Sequence, residues 1–386
     1  MEKADLTKAD FWLSADTHVL ANPRDLVACS EAGTIQQWSK SEPRLSGHML
    51  FRTSGSTGKG KWVALSKSAL LASARAVNDF LEVTAADRWL LTLPLFHVGG
   101  VGIAARAYLS GSMIVRTSEK WEPVHCHRQL TDEKITLTSL VPAQLSDLVR
   151  LDLAAPESLR AVLIGGGRLD DTLYKKATEL EWPVRETYGM TETASQVATA
   201  KAGERKLNVL PCWEVFENSD GCLRVKGEAL FTGYVGCEND SCFLEEPHDA
   251  EGWFLTNDRG ALTKGQLTIQ GRADRCVKIL GELVDLNEVE QTIHATMEAL
   301  GYSYQELAVM AVEPPTTGEY RDVRRGVLLV VCIEQSDNFS KVLECYNERC
   351  QPLHRIKGIA VLDPLPRTAI GKISYAELQQ ILKSDK

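Results

Sequence analysis

Apolar residues recur along this chain in short runs set off by glycine, proline and charged positions. The runs at 49–52 and 62–65 read as two strands on either side of a polar loop, 53–61. Ser66 is a good N-cap for a helix over about 67–80. The run 88–94 ends at proline and reads as a buried strand. A helix follows 95–100 and extends through Leu109, with Gly111 as its stop. Segments 112–115 and 159–164 read as strands, and 123–130 and 143–149 as helices. Strands alternating with helices predict a largely parallel sheet, with ligands at the loops beyond the strand C-termini. From about 205 to 271 the pattern changes to short glycine-flanked strands, at 222–225, 228–231, 253–256 and 266–270, which predicts a β-rich part. From 275 onward α/β patterning returns. A helix is expected over 287–300, strands over 307–312 and 326–333, and a helix over 340–350. Residues 1–47 are weakly patterned, with Trp12, Val19, Leu20, Leu26 and Val27 as candidates for a packed lead-in.

Composition narrows the class. A chain of 386 residues buries a sizeable core and divides into two or more domains. A net charge of −9 argues against broad binding to nucleic acid or to anionic membranes, so an anionic ligand needs a local positive site. No apolar run is long enough to span a membrane, and the first residues lack the apolar core of a signal peptide. The ten cysteines show no repeated spacing and read as reduced cytosolic thiols, which predicts a cytoplasmic protein without a disulfide frame. His125-Cys126-His127 has no second pair at zinc spacing and reads as structural.

The polar loop carries the densest chemistry. Thr53-Ser54-Gly55-Ser56-Thr57-Gly58-Lys59-Gly60-Lys61 combines glycines, hydroxyl donors and lysines. Glycines let backbone N–H groups converge on an anion, and lysine adds charge. Gly55 to Lys61 fits part of the nucleotide-triphosphatase loop, but Trp62 stands where that loop needs Ser or Thr, and a strand follows in place of a helix. Further on, three glycines (Gly165, Gly166, Gly167) end a strand, and Thr187-Tyr188-Gly189-Met190-Thr191-Glu192 joins an aromatic face, a hydroxyl and a hard oxygen ligand suited to magnesium.

Taken together these segments resemble the adenylate-forming superfamily, the acyl-CoA synthetases and their relatives. Thr-Ser-Gly-Ser-Thr-Gly-x-x-Lys at 53–61 is similar to its phosphate loop, with Gly60 in place of the usual proline. Tyr188-Gly-Met-Thr-Glu192 matches its Tyr-Gly-x-Thr-Glu signature, and 165–167 resemble its adenine-binding segment. Thr256-Asn257-Asp258 stands in place of Thr-Gly-Asp, 271–281 resembles the hinge region, and Pro366-Arg-Thr-Ala-Ile-Gly371-Lys372 matches Pro-x-Thr-x-x-Gly-Lys. The superfamily carries a substantial subdomain ahead of the phosphate loop, whereas about fifty residues precede it here.

The resemblance implies an α/β fold: a large domain of mixed sheets flanked by helices, 1–273, with the β-rich part at about 205–271, and a small mobile α/β domain, 274–386. It implies ATP, Mg2+ and coenzyme A as cofactors and co-substrates, and a small-molecule carboxylic acid as substrate. Thr53, Ser54, Gly55, Ser56, Thr57, Gly58 and Lys61 would hold phosphates. Gly165, Gly166, Gly167 and Tyr188 would flank adenine, Thr191 would meet the α-phosphate, and Glu192 would hold the metal. Asp258 and Arg272 would bond ribose, Asp274 would be the hinge, and Lys372 the catalytic cation. His97 would wall the acyl pocket.

Residues 94–106 and 188–196 are further similar to the o-succinylbenzoate–CoA ligases of menaquinone biosynthesis. That acid carries a second carboxylate, for which Arg106 is the expected partner, and the resemblance also implies Ser195 as a substrate residue. A carrier-protein thiol in place of coenzyme A stays open as acceptor. So does a nucleotide-binding homologue without catalysis, against which the joint presence of Glu192 and Lys372 counts. The sequence sets no oligomeric state.

Overall fold

The two strands that flank the polar loop pair with each other. His48–Thr53 and Lys61–Ser66 are antiparallel, with His48 opposite Ser66 and Thr53 opposite Lys61, so the ends of the loop are held together. The computed structural model describes residues 5–53, 60–117, 120–238, 241–302, 305–312, 328–334, 339–368 and 371–384. Loop residues Ser54, Gly55, Ser56, Thr57 and Gly58 lie outside that set. Helix Lys67–Leu81 begins where expected, with the Ser66 hydroxyl accepting from Ala69 N–H at 3.0 Å.

This hairpin is the centre of a five-stranded sheet ordered His18–Leu20, His48–Thr53, Lys61–Ser66, Gly233–Glu238, Ser241–Glu245. A second sheet has eleven strands. Five of them, ordered Val184–Tyr188, Ala161–Ile164, Leu137–Leu140, Arg88–Leu91, Met113–Arg116, are mutually parallel. Helices cover both faces, as side-chain alternation requires. Trp89, Leu91 and Leu163 pack with Val77 and Val101 on one face. Leu90, Val162 and Ile164 pack with Leu130, Leu145 and Leu173 on the other. Each fully buried side chain of this kind contributes about 1.5–3 kcal/mol. The segments after Leu91, Ile164 and Tyr188 leave the C-terminal ends of parallel strands, where an open α/β sheet takes its ligands.

The strands of 205–271 are divided between the two sheets. Gly233–Glu238 pairs with Lys61–Ser66 on one side and with Ser241–Glu245 on the other in the five-stranded sheet, and the remaining strands continue the eleven-stranded sheet. The α/β class with mixed sheets is as expected. By contact density, the described residues up to 256, together with 260–269, form one unit, and residues 257–259 with those from 270 onward form a second. The second unit contains the three-stranded sheet Leu307–Val312, Leu328–Ile333, Ile356–Val361 and the helices Leu286–Ala299, Phe339–Arg349 and Tyr375–Ser384.

Four expectations are corrected. The strand Leu137–Leu140 went unread because Thr138 and Ser139 interrupt its apolar run; Thr138 is nonetheless buried, its hydroxyl donating to the Leu90 carbonyl at 3.0 Å. Segment 228–231 is a turn: Ala229 and Phe231 are buried, but Leu230 N–H bonds Gly227 O and Phe231 N–H bonds Glu192 O. Leu26 and Val27 are exposed, because they open a helix, Leu26–Ser39, that turns its other face inward. Asp25 and Glu31 of that segment pair with Arg52, next to Thr53, at 2.7 and 3.2 Å. Cys237 and Cys242 form a disulfide, contrary to the reading of all ten cysteines as thiols. They stand directly opposite each other in a hairpin register, with Cα atoms 4.0 Å apart, a proximity that sequence spacing does not reveal.

Candidate functional site

Three groups of predicted residues come together, each within one unit. The first joins the far end of the phosphate loop to the acidic turn. Lys61 opens its strand with its ammonium 4.5 Å above the centre of the Tyr234 ring. The Tyr234 hydroxyl donates to Glu192 Oε1 at 3.0 Å. Glu192 sits on the 3-10 turn Thr191–Thr193, whose buried Thr193 hydroxyl accepts from Met190 N–H, and Phe231 N–H holds the Glu192 carbonyl at 2.9 Å. One tyrosine thus spaces a cation from a carboxylate. A carboxylate oriented in this way suits magnesium, which takes few protein oxygens together with phosphates. Among the described residues no cluster of three or more His, Cys, Asp or Glu forms a metal cage, so a metal on Glu192 depends on phosphate ligands.

The second group lies on helix Val98–Ser110. His97 is its N-cap, Nδ1 accepting from Gly99 N–H at 3.2 Å. Two turns on, Arg106 is 1 % exposed. Its guanidinium lies 5.7 Å from the centre of the Trp89 ring, and among the described residues its Nε has no hydrogen-bond partner and it forms no ion pair. Burial pulls its pKa down to about 10, still leaving it cationic at neutral pH. A methyl group at Gly102 would lie 3.3 Å from Arg106 Nη2 and 3.8 Å from Ser195 Cβ, so this glycine keeps the space between them open. Ser195 has φ +100°, a strained setting for a residue with a side chain. A side chain at Gly189 would strike its carbonyl at 1.9 Å, which is why glycine follows Tyr188. The arrangement leaves a desolvated cation beside a strained polar turn, and buried charge of that kind is costly unless an anion pairs with it.

The third group lies in the second unit. Arg272 donates to both oxygens of Asp274, at 2.9 and 2.7 Å, and reaches Asp258 at 3.4 Å. Lys372 stands on a turn in which Thr368 N–H donates to the Lys372 carbonyl at 2.7 Å. In the first unit, Thr53 donates to Lys61 O at 3.2 Å, Gly165–167 follow strand Ala161–Ile164, and Tyr188 is 8 % exposed at the end of its strand. At the other dense cluster, burial raises the Cys126 thiol to about 12 and His127 Nε2 meets Ala154 O, a structural arrangement. Tyr234, Trp89 and Gly102 were not singled out from sequence.

A profile described as AMP-binding enzyme matches residues 28–235. The 2-succinylbenzoate–CoA ligase of Bacillus cytotoxicus is 30 % identical over 86 % of this chain and 69 % of its own length. The indoleacetate–CoA ligase of Aromatoleum aromaticum is 30 % identical over 86 % of this chain and 66 % of its own. Among solved structures, the o-succinylbenzoate CoA synthetase (MenE) from Bacillus subtilis in complex with the acyl-adenylate intermediate OSB-AMP superposes with a TM-score of 0.70 at 26 % identity, over 86 % of this chain and 68 % of that one. An E. coli MenE with bound OSB-AMS gives 0.72 at 29 %, over 88 % and 69 %.

Proposed function

Since the chain belongs to the AMP-binding enzyme family, we propose that it is an ATP-dependent ligase that activates o-succinylbenzoate as its acyl-AMP and passes the acyl group to coenzyme A, the step used in menaquinone biosynthesis. A free carboxylate is a poor acyl donor because oxide would have to leave. Attack of a carboxylate oxygen on the α-phosphorus of ATP makes the acyl-adenylate and releases pyrophosphate. The thiol of coenzyme A then attacks the acyl carbon, and AMP leaves with the bonding pair. Both steps call on the protein for positioning and charge more than for covalent help.

The residues divide that work. Thr53, Lys61 and the loop between them cradle phosphates. Thr191 meets the α-phosphate, and Tyr188 with Gly165–167 flanks the adenine. Asp258 accepts from ribose hydroxyls, and Arg272 donates to ribose oxygens. Glu192, oriented by Tyr234, would hold Mg2+, which supplies charge neutralisation on the phosphates when bound. Lys372 adds a cation for adenylation, and Asp274 is the hinge. A cytoplasmic location goes with this reading, since ATP and coenzyme A are intracellular. Among the described residues no helix is long and apolar enough to cross a membrane.

The observation that carries the substrate assignment is Arg106, buried, cationic and without a counter-ion among the described residues. An acid with one carboxylate has nothing to offer it once that group is activated, whereas o-succinylbenzoate keeps a second. The test is a panel of o-succinylbenzoate, simple benzoates, indoleacetate and fatty acids with ATP and coenzyme A, read by mass spectrometry of the thioester. The expected product is o-succinylbenzoyl-CoA. A thioester from indoleacetate or benzoate but none from o-succinylbenzoate would overturn the substrate and leave the ligase.

A further inference from the structure

Lys372 is reached through a turn whose two arms close on each other. Arg367 bridges Ile373 in antiparallel fashion, Ser374 N–H donates to Pro366 O at 2.8 Å, and Gly371 N–H donates to Thr368 O at 2.9 Å. Backbone bonds of this kind close the neck but leave the peptide just before the lysine to be fixed from elsewhere. The Arg367 side chain does so. Its Nη1 donates to the Gly371 carbonyl at 3.2 Å and pairs with Glu306; its Nη2 donates to Glu334 Oε1 at 2.8 Å. That same Glu334 oxygen accepts from Leu365 N–H at 3.1 Å, so one carboxylate braces both sides of Pro366. Leu365 is itself 1 % exposed, which ties the brace to the core of the unit. The carbonyl ahead of Lys372 is thus held by Arg367 and the carbonyl of Lys372 by Thr368 N–H.

The residue types matter. A guanidinium is a rigid planar fork that bonds several acceptors at once, while an ammonium is a flexible point charge. Two glutamates from separate segments hold the fork in register, and charge-assisted bonds are the stronger kind. A long flexible lysine loses rotamer freedom when it acts. Fixing its backbone beforehand removes part of the ordering cost.

We propose that Arg367, clamped between Glu306 and Glu334, is a positioning residue for Lys372, setting the peptide from which that lysine works in adenylation. This rests on the reading of Lys372 as the adenylation cation. It touches no substrate in doing so, and its effect runs through Lys372 alone.

The test compares Arg367→Met, Arg367→Lys and Glu306→Gln with wild type in the two half-reactions and by amide hydrogen exchange. Pyrophosphate release with o-succinylbenzoate is expected to fall roughly ten- to hundredfold in Arg367→Met, the size expected for charge-assisted bonds, with Arg367→Lys recovering little of it. Thioester formation from preformed acyl-adenylate and coenzyme A is expected to change less than about twofold, since Lys372 has no part in that step. On a Lys372→Ala background, Arg367→Met is expected to add less than about twofold, the sign of one functional unit. Equal losses in both half-reactions, or a full additional loss on that background, would mean that Arg367 merely supports the fold. Exchange is read independently of activity: protection over 365–374 should drop in Arg367→Met while strands Leu307–Val312 and Leu328–Ile333 keep theirs. Unchanged protection there overturns the clamp even if the wild-type chain makes no adenylate.

Discussion

At the scale of single residues, two contacts decide most. Tyr234 gives its hydroxyl to Glu192 and its ring to Lys61. Tyr234→Phe keeps the ring and removes the donor. The Mg2+ concentration for half-maximal pyrophosphate release is expected to rise roughly ten- to hundredfold, the worth of one hydrogen bond to a charged group, with the KM for the acid unchanged. A Mg2+ requirement equal to wild type would detach Tyr234 from the acidic turn. Arg106 makes the opposite kind of prediction. Burial disfavours the cation and lowers its pKa from the ordinary guanidinium range to about 10. The folded state therefore bears a penalty at every pH below about 10 that is relieved only as pH climbs above it. Arg106→Met removes a buried charge, so the substrate-free protein is expected to melt about 2–5 °C higher, with a gain that is flat from about pH 6 to 9. The KM for o-succinylbenzoate should rise sharply, and that for ATP should hardly move. A variant that melts lower and binds the acid normally would make Arg106 a packing residue.

At the scale of elements, helix Val98–Ser110, capped by His97, carries Arg106; its C-terminal end was legible in advance, whereas it starts at Val98, inside the 95–100 segment it was expected to follow. The glycine stop at Gly111 has φ +70°, as a C-terminal cap requires. The same holds for Lys67–Leu81, whose Ser66 cap is a purely local signal. What stayed hidden depends on distant partners. Leu137–Leu140 is a strand because its hydroxyl-bearing middle finds an acceptor on the neighbouring strand, and 228–231 is a turn because its N–H groups are taken by Gly227 and Glu192. In the candidate site, the residues proposed to do the chemistry were picked out from motif and order. The neighbours that orient them, Tyr234, Trp89 and Gly102, were not, since packing and not sequence proximity brings them there. Gly102 gives the element-scale test. Gly102→Ala should strengthen the helix by about 1 kcal/mol, yet it sets a methyl 3.3 Å from Arg106 Nη2 and narrows the space toward Ser195. The expected result is a stable protein with a several-fold higher KM for o-succinylbenzoate and an unchanged KM for ATP. A parallel loss for both substrates would place the methyl's effect outside the acid pocket.

At the scale of the whole molecule, the two half-reactions give the handle. Asp274 is grasped by Arg272 from two positions back, on the short turn Ala273–Arg275. If this is the hinge, proline there restricts φ and blocks the backbone change between the two steps. Asp274→Pro is expected to release pyrophosphate at a rate near that of wild type while thioester formation collapses. Stopped assays for adenylate and thioester on one sample separate the outcomes, and matched losses would move the hinge elsewhere.

The strand Gly233–Glu238 lies against Lys61–Ser66, its partner from about 170 residues earlier in the chain. During synthesis, at roughly 5–20 residues per second, Gly233–Glu238 emerges on the order of ten to thirty seconds after Lys61–Ser66. Until then Trp62–Leu65, all buried in the finished protein, form an open sheet edge with unpaired backbone groups. The growing chain therefore passes through an interval in which its phosphate-loop hairpin is sticky, and the nascent protein should lean on chaperones then. Ribosome-bound chains halted just before Gly233 are expected to recruit chaperone strongly, and chains halted well past Glu245, with the hairpin clear of the ribosome, far less.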